Sequence, residues 1–174
     1  MKSVLIAALA FAATANAGVI GASVDVSAQY LGIVIVDAGV KTIDGSVEYP
    51  AGVFGPAYSS DLSVQITDTQ LILSLNGAAP FFNPAVFNGF EIAFLTGTIT
   101  GAVADISSTL NPVVSIIGNN LFLNYQGIDT QLGQASIIDL TGTGAGTSTP
   151  EPATVSFLAG GLAVVALLRR RVRA

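Results

Sequence analysis

The sequence predicts an all-β fold, an antiparallel β-sandwich, set between two apolar terminal segments. Three observations predict it. Apolar and polar residues alternate along short runs, dipeptides of Asn, Asp and Gly separate these runs, and residues 18–149 contain no helical period. Many short strands with frequent turns are typical of two packed antiparallel sheets. We divide the chain into a signal peptide (1–17), a β-sandwich domain (18–140), a linker (141–149) and a C-terminal tail (150–174).

The first 17 residues have the layout of an export signal. Lys2 gives a positive start, and residues 4–13 are apolar but too short to span a bilayer. Ala15 and Ala17 form a small-x-small cleavage site. We therefore predict a signal-peptide helix that signal peptidase removes before Gly18.

Period-two alternation indicates the strands of the central region. The apolar positions are Leu62, Val64 and Ile66; Leu71, Leu73 and Leu75; Phe90, Ile92 and Phe94; and Leu121, Leu123 and Tyr125. Such alternation buries one face of a strand and leaves the other in water. Residues 31–36 are apolar or glycine throughout and predict a central strand with both faces covered. A last strand is expected near residues 136–140.

Turn residues and a spacer separate these elements. The dipeptides Asp44-Gly45, Asn76-Gly77 and Asn88-Gly89 predict tight turns. Asn, Asp and Gly tolerate the positive φ angles that such turns need. Residues 141–149 are rich in Gly and Thr, which predicts a flexible linker.

The C-terminal tail predicts a membrane anchor. Pro150, Glu151 and Pro152 precede an uncharged apolar run, residues 153–168, that an arginine cluster closes. As a helix this run would be roughly 24 Å long, and snorkelling arginines extend its reach toward the ~30 Å hydrocarbon core. We predict a transmembrane helix over 153–168. The residues that stop its passage on the cytoplasmic side are Arg169, Arg170, Arg171 and Arg173.

This tail resembles the PEP-CTERM sorting tail, in which Pro-Glu-Pro, a glycine-bearing apolar segment and terminal arginines follow in this order. Pro150, Glu151 and Pro152 match its recognition motif, and Gly160 and Gly161 match a later feature. The resemblance covers about 25 of the 174 residues. It implies export in a Gram-negative bacterium that makes extracellular polysaccharide. It also implies that exosortase, a membrane protease, recognises and removes the tail.

Two segments of the central region are similar to small β-sandwich domains found ahead of such tails. They are FNGFEIAF (residues 87–94) and NNLFLNYQGI (residues 119–128). This second resemblance implies the fold and carries no catalytic residue.

Composition excludes several function classes. Between residues 18 and 149, Lys41 is the one basic residue against ten acids, so this stretch carries one minus ten, or −9. A polyanion such as nucleic acid would be repelled. The chain has no histidine and no cysteine, which excludes Ser-His-Asp triads, Cys-His pairs and ordinary zinc sites. We therefore expect no enzymatic activity, no nucleic-acid partner and no cofactor.

Three alternatives stay open at this point. A carbohydrate-binding module could use Tyr30, Tyr49, Tyr58, Tyr125 or the Phe81-Phe82 pair as a sugar platform. The competing interpretation places Phe87, Phe90, Phe94 and Phe122 in the core and the tyrosines at its edges. A hydrolase could pair Glu48 with Glu91. A weak calcium site could use Asp37, Asp44, Asp61 and Asp68 near strand ends.

The loop over residues 79–84, which contains Phe81 and Phe82, is the expected exposed apolar patch. Taken together, the sequence predicts a secreted, exosortase-sorted protein of the cell surface or extracellular matrix. Its role would be structural or adhesive, associated with exopolysaccharide or biofilm. The expected partners are signal peptidase, an exosortase-like protease, the inner membrane as a transient anchor, and extracellular polysaccharide.

Overall fold

The computed structural model describes residues 18–55, 61–77 and 82–145. The predicted signal helix, the Pro150–Pro152 motif and the predicted transmembrane helix over 153–168 lie outside these residues. The described residues form nine β-strands, and every pairing between them is antiparallel. The predicted all-β class is therefore confirmed for this part of the chain.

The strands form two sheets. They are β1 (Ser23–Tyr30), β2 (Ile33–Thr42), β3 (Leu62–Ile66), β4 (Gln70–Leu75), β5 (Asn88–Phe94), β6 (Thr98–Ala104), β7 (Val113–Ile117), β8 (Asn120–Asn124) and β9 (Ala135–Thr143). The five-stranded sheet has the order β2-β1-β5-β8-β7, and the four-stranded sheet has the order β3-β4-β9-β6. β9 runs three residues past position 140, where the sequence places the end of the domain.

One hydrophobic core joins the two sheets in a sandwich-like arrangement. The alternating apolar residues predicted from the sequence are buried in β3, β4, β5 and β8, with Tyr125 directly after β8. Each fully buried aliphatic or phenyl side chain contributes about 1.5–3 kcal/mol relative to exposure. The period-two alternation thus directs both sheets to the same interior.

Aromatic rings occupy the middle of this core. Phe82 stacks on Tyr125 with ring centroids 4.7 Å apart. Phe90 meets Tyr125 edge-on at 6.0 Å and Phe54 at 5.5 Å. The prediction that the tyrosines lie at the core edges is wrong for Tyr49 and Tyr125, which are fully buried. Phe82 is buried too, so it belongs to no exposed patch, while Phe81 lies outside the described residues.

These tyrosines can be buried because their hydroxyl groups have partners. Tyr49 Oη donates to the carbonyl oxygens of Val24 (3.0 Å) and Gly39 (2.9 Å). Tyr125 Oη donates to Ser136 Oγ at 2.9 Å. A buried hydroxyl without such a partner would cost roughly 1–3 kcal/mol. Burial and the negative charge of Asp25 and Glu48 raise the pKa of Tyr49 far above its ordinary value, so its phenol stays a donor.

The apolar segment 31–36 is not a central strand, and that prediction is wrong. Leu31 (φ 55°) and Gly32 (φ 75°) form the turn of the β1–β2 hairpin, and β2 follows as an edge strand. β5 occupies the other side of β1, so β2 has a strand on one side only. Alternation and apolarity specify a strand, whereas its place in the sheet depends on distant partners.

Of the predicted turn dipeptides, Asp44-Gly45 is confirmed and Asn88-Gly89 is wrong, while the turn at Asn76-Gly77 stays a prediction because the residues after Gly77 lie outside the described ranges. Asp44-Gly45 lies between β2 and β3, where Gly45 has φ 88° and Asp44 Oδ1 accepts from the Ser46 amide at 2.8 Å. Asn76-Gly77 follows β4 directly. Asn88-Gly89 is instead the start of β5, because buried Asn88 donates its side-chain amide back to the Asn83 carbonyl at 3.1 Å.

The described chain enters and leaves the fold at the same end. The Gly144 amide donates to the Gly18 carbonyl at 2.7 Å, which places the end of β9 beside the approach to β1. β1 then runs away from this end, so the β1–β2 turn lies at the opposite end. We call these the terminal end and the hairpin end of the domain.

We expect Tyr49→Phe to lower the free energy of unfolding by about 1–2 kcal/mol, because two carbonyl groups lose their shared donor. Denaturant unfolding of the full chain measures this loss. Tyr30→Phe, at the end of β1, is the matched control and should change stability by less than about 0.5 kcal/mol. Equal losses in both variants would contradict a role for the Tyr49 hydroxyl.

Candidate functional site

The outward face of the five-stranded sheet carries a hydrogen-bonded polar row. Ser27 of β1, Glu91 of β5 and Phe122 of β8 lie side by side in the pairing register. Gln29 and Asn120 flank this row on the same face, since side chains two residues apart share a face. We call these five residues the polar face.

Glu91 is the centre of the polar face. Its Oε2 accepts from Gln29 Nε2, and its Oε1 accepts from Asn120 Nδ2 at 2.6 Å. Gln29 also reaches Ser27 Oγ at 3.3 Å. These bonds join β1, β5 and β8 across the sheet, and they leave Gln29 buried although it projects away from the core. Hydrogen bonds to a charged acceptor are stronger than neutral ones, so this network stiffens the sheet.

Two further acids lie beside the polar face, toward the edge strand. Burial and the neighbouring Asp37 carboxyl raise the pKa of Asp25, and Glu91 adds to this effect. Oδ1 of Asp25 is buried and has no hydrogen-bond partner among the described residues. Asp37 Oδ1 accepts from the Gly39 amide at 2.8 Å, within the irregular part of β2. At neutral pH, the charged form of Asp25 therefore lowers the stability of the folded domain.

Phe122, the one aromatic residue of the polar face, belongs to an aromatic pair. Phe122 meets Phe87 edge-on with ring centroids 5.9 Å apart, and both rings are half-buried. The prediction that Phe87 and Phe122 fill the core is wrong, whereas Phe90 and Phe94 are buried as predicted. Phe122 points away from the core because side chains alternate along a strand, and its neighbours Leu121 and Leu123 point inward.

The proposed hydrolase pair serves two separate structural networks. Glu48 is buried beside β3, where its carboxylate accepts from the backbone amides of Ile66 (2.6 Å) and Asp44 (3.3 Å). Glu91 accepts instead from the side chains of Gln29 and Asn120 on the outward face, so these bonds place the two acids in different networks. The geometry therefore gives the paired-carboxylate alternative no support.

Three of the four aspartates considered for calcium, Asp37, Asp44 and Asp68, accept hydrogen bonds from backbone amides. Asp44 accepts from Ser46, and Asp68 accepts from the Ile20 amide at 3.3 Å. Hydrogen bonds from Ser46 lower the pKa of Asp44. Within residues 18–55, 61–77 and 82–145, no three His, Cys, Asp or Glu side chains are grouped so as to hold a metal ion.

The residues predicted to direct sorting lie outside the described ranges. They are Ala15 and Ala17 at the signal cleavage site, Pro150, Glu151 and Pro152 of the motif, and Arg169, Arg170, Arg171 and Arg173. Tyr58 of the predicted sugar platform also lies outside them. The part of the chain that the structure describes contains no helix with the length and apolarity needed to cross a bilayer.

Comparisons with protein-family models, with curated proteins and with solved structures give no match for this chain. The polar face is the feature that sequence reasoning missed. Alternation around Glu91 already indicates that its side chain points outward. The hydrogen-bond partners of Glu91 cannot be predicted from the sequence. Gln29 and Asn120 lie far away along the chain, and only the strand register brings them to Glu91.

We expect Asp25→Asn to flatten the pH dependence of stability. A carboxyl group with a raised folded pKa adds stability at pH values below its unfolded pKa of about 3.9, and that stability is lost as pH rises through the folded value. The variant should therefore melt at least as high as the wild type at pH 7, by up to a few degrees, and should lose this advantage near pH 4.

Thermal unfolding of the full chain between pH 4 and pH 7.5 measures the effect. Asp105→Asn is the control of opposite sign, because bonds from Ser107 lower the pKa of Asp105. Its carboxylate adds stability above the unfolded pKa that is lost as pH falls through the folded value. An Asp25→Asn curve parallel to that of the wild type would contradict the repulsion described above.

Proposed function

We propose that this chain is an exported protein of the cell surface or extracellular matrix, with a structural or adhesive, non-catalytic role. The observation that carries the proposal is the meeting of Gly18 and Gly144 at the terminal end. A domain whose two ends emerge together can stand on a single stalk. The predicted linker and the tail resembling PEP-CTERM would supply that stalk and its anchor.

This geometry suits display from a membrane. The predicted cleavage before Gly18 would free the start of the domain at the same end from which residues 141–149 lead to the anchor. The hairpin end would then point away from the bilayer. Removal of the tail by an exosortase-like protease near Pro150–Pro152 would release the same domain intact, because the motif lies beyond β9.

The chemistry of the described residues supports a non-catalytic role. Glu48 holds the backbone beside β3, and Glu91 joins three strands of the five-stranded sheet. Both carboxylates therefore stabilise the fold. The −9 charge of residues 18–149 favours solubility and opposes binding to polyanions. In a matrix, such a domain would be repelled by nucleic acid but not by neutral polysaccharide.

The mass of the protein recovered from its native host tests the sorting proposal. We expect the wild-type chain to lack the arginine cluster in its mature form, and Glu151→Ala to retain it in the membrane fraction. Thr149→Ala, directly before the motif, is the matched control and should be processed like the wild type. A mature wild-type mass that includes Arg169 to Arg173 would overturn the proposal.

A second candidate function is carbohydrate binding at the polar face. The observation that favours it is the juxtaposition of planar polar groups, Glu91 and Asn120, with the Phe122 ring on one solvent-facing surface. Aromatic rings contact the apolar faces of sugars, and amide and carboxylate groups bond their hydroxyls. The tyrosine platform is not favoured, because Tyr49 and Tyr125 are buried.

A glycan array with the full chain in mild detergent tests this second function. If it holds, Phe122→Ser should lower the signal at least about tenfold, as expected for the loss of roughly 1.4 kcal/mol of binding energy. Val103→Ser, at an exposed position of β6, is the matched control and should leave the signal unchanged. An array without any signal for the wild type removes this candidate and leaves the sorting proposal untouched.

A further inference from the structure

Two sheets have four edge strands, and three of these strands have neighbours within the described residues. β6 and β7, the last strands of their sheets, contact each other. At β3, Val64 exchanges backbone hydrogen bonds with Tyr49 at 2.9 and 3.1 Å. The Glu48 carboxylate accepts from the next outward amide of β3, that of Ile66. The β3 edge therefore presents few free backbone groups to another chain, and β6 and β7 each lie beside a strand of the other sheet.

The edge at β2 is open. β2 pairs with β1 along one side, and no described residue pairs with the backbone of Ile33–Val36 from the other side. Outward-facing amide and carbonyl groups of an edge strand are ready to pair with a further strand. Within the described residues, the β2 edge is thus free to be extended by a further strand.

The side chains of this edge are apolar and exposed on both faces. The exposed fractions are 55% for Leu31, 65% for Ile33, 51% for Val34 and 46% for Ile35. Leu31 also has a positive φ of 55°, a conformation that costs an ordinary L-residue roughly 1–2 kcal/mol and that Asn or Gly would adopt more easily. The Leu31 side chain therefore adds to the exposed apolar surface at the start of β2.

The charge pattern favours a second copy as the partner. Residues 18–149 carry −9, so copies repel each other unless the contact region is uncharged. Residues 26–36 contain no charged residue, and the first acid of β2 is Asp37. Pairing of two copies at the start of β2 would therefore bring no acids directly together.

We propose that β2 pairs antiparallel with β2 of a second copy of this chain, forming a two-fold symmetric dimer that continues the five-stranded sheet. In the register that we propose, Ile33 lies opposite Val36 of the second copy. This register leaves Asp37 of each copy at the outer end of the paired segment. This register is consistent with the faces of the strand, since Ile33 and Val36 pair with Tyr30 and Ala28 of β1, two positions on one face. A two-fold symmetric contact through the same edge of each copy closes the assembly at two.

The dimer should be weak. Four exposed side chains of roughly 100 Å² each give about 400 Å² per copy, below the roughly 800 Å² per partner of a standard interface. The register shifts of β2, between Val34 and Val36 and between Asp37 and Val40, also shorten the new ladder. We expect association at tens to hundreds of micromolar rather than a permanent dimer.

Disulfide cross-linking tests the proposed pairing directly, because the chain contains no cysteine. The full chain is used in mild detergent, with micelles in large excess so that the predicted anchor does not bring copies together. Differently tagged chains carrying Ile33→Cys and Val36→Cys are mixed and oxidised. The matched control mixes Val103→Cys with Ile117→Cys, exposed positions on β6 and β7. We expect at least tenfold more mixed disulfide from the β2 pair.

Sedimentation of Val34→Lys against Val103→Lys gives a second measurement that needs no cysteine. Both positions are exposed, and unchanged circular dichroism confirms that each variant folds. The charge on β2 should raise the dimer dissociation constant at least tenfold, and the charge on β6 should change it less than twofold. Equal cross-linking in both mixtures, or equal association of both lysine variants, overturns the proposal. Neither result depends on how the chain is sorted.

Discussion

The fold depends on one hydrophobic core between the two sheets, in which the hydroxyl groups of two buried tyrosines are hydrogen-bonded. Phe90 sits among Phe82, Phe54 and Tyr125, with rings contributed by both strands and connecting segments. Tyr49 and Tyr125 can lie at this depth because Val24, Gly39 and Ser136 accept their hydroxyl groups. Without those acceptors, the largest side chains of the core would each bring an unpaired polar group into an apolar volume. The hydroxyl of Tyr49 also spans β1 and the irregular part of β2, so the same contact that completes the core holds the edge strand.

Part of the surface is held by side-chain hydrogen bonds, whereas the edge at β2 has no strand paired to its outer side among the described residues. Glu91 ties β1, β5 and β8 together on the outward face, and Glu48 caps the edge of β3. Beside the polar face, burial and the Asp37 carboxyl raise the pKa of Asp25, so these two acids repel each other at neutral pH. β2 pairs with β1 along one side and has no strand on its other side among the described residues. Its apolar start is uncharged, so another strand can pair there without bringing acids together.

These features are consistent with the function that we propose. A protein displayed at high local density needs a domain that resists general aggregation and still permits weak, directed contact. The distributed negative charge provides the first property. The open β2 edge near the hairpin end, away from Gly18 and Gly144, provides the second. A contact that is too weak to hold two free chains can become effective when many copies are anchored to one surface.

The sequence by itself determined what depends on neighbouring residues. Alternation over Leu62–Ile66 and Asn88–Phe94 specifies strands and their buried faces, and Asp44-Gly45 specifies a turn, because period and φ preference are local properties. Tertiary structure decided everything that needs a partner. Residues 31–36 are apolar enough for a central strand, yet β5 takes the place beside β1 and leaves them at an edge. Asn88-Gly89 has the composition of a turn, yet its side-chain and ladder bonds make it the start of β5. Likewise, no local pattern brings Gln29 and Asn120 to Glu91 or buries Tyr49. Strand register sets these contacts, and register is chosen by the whole core at once.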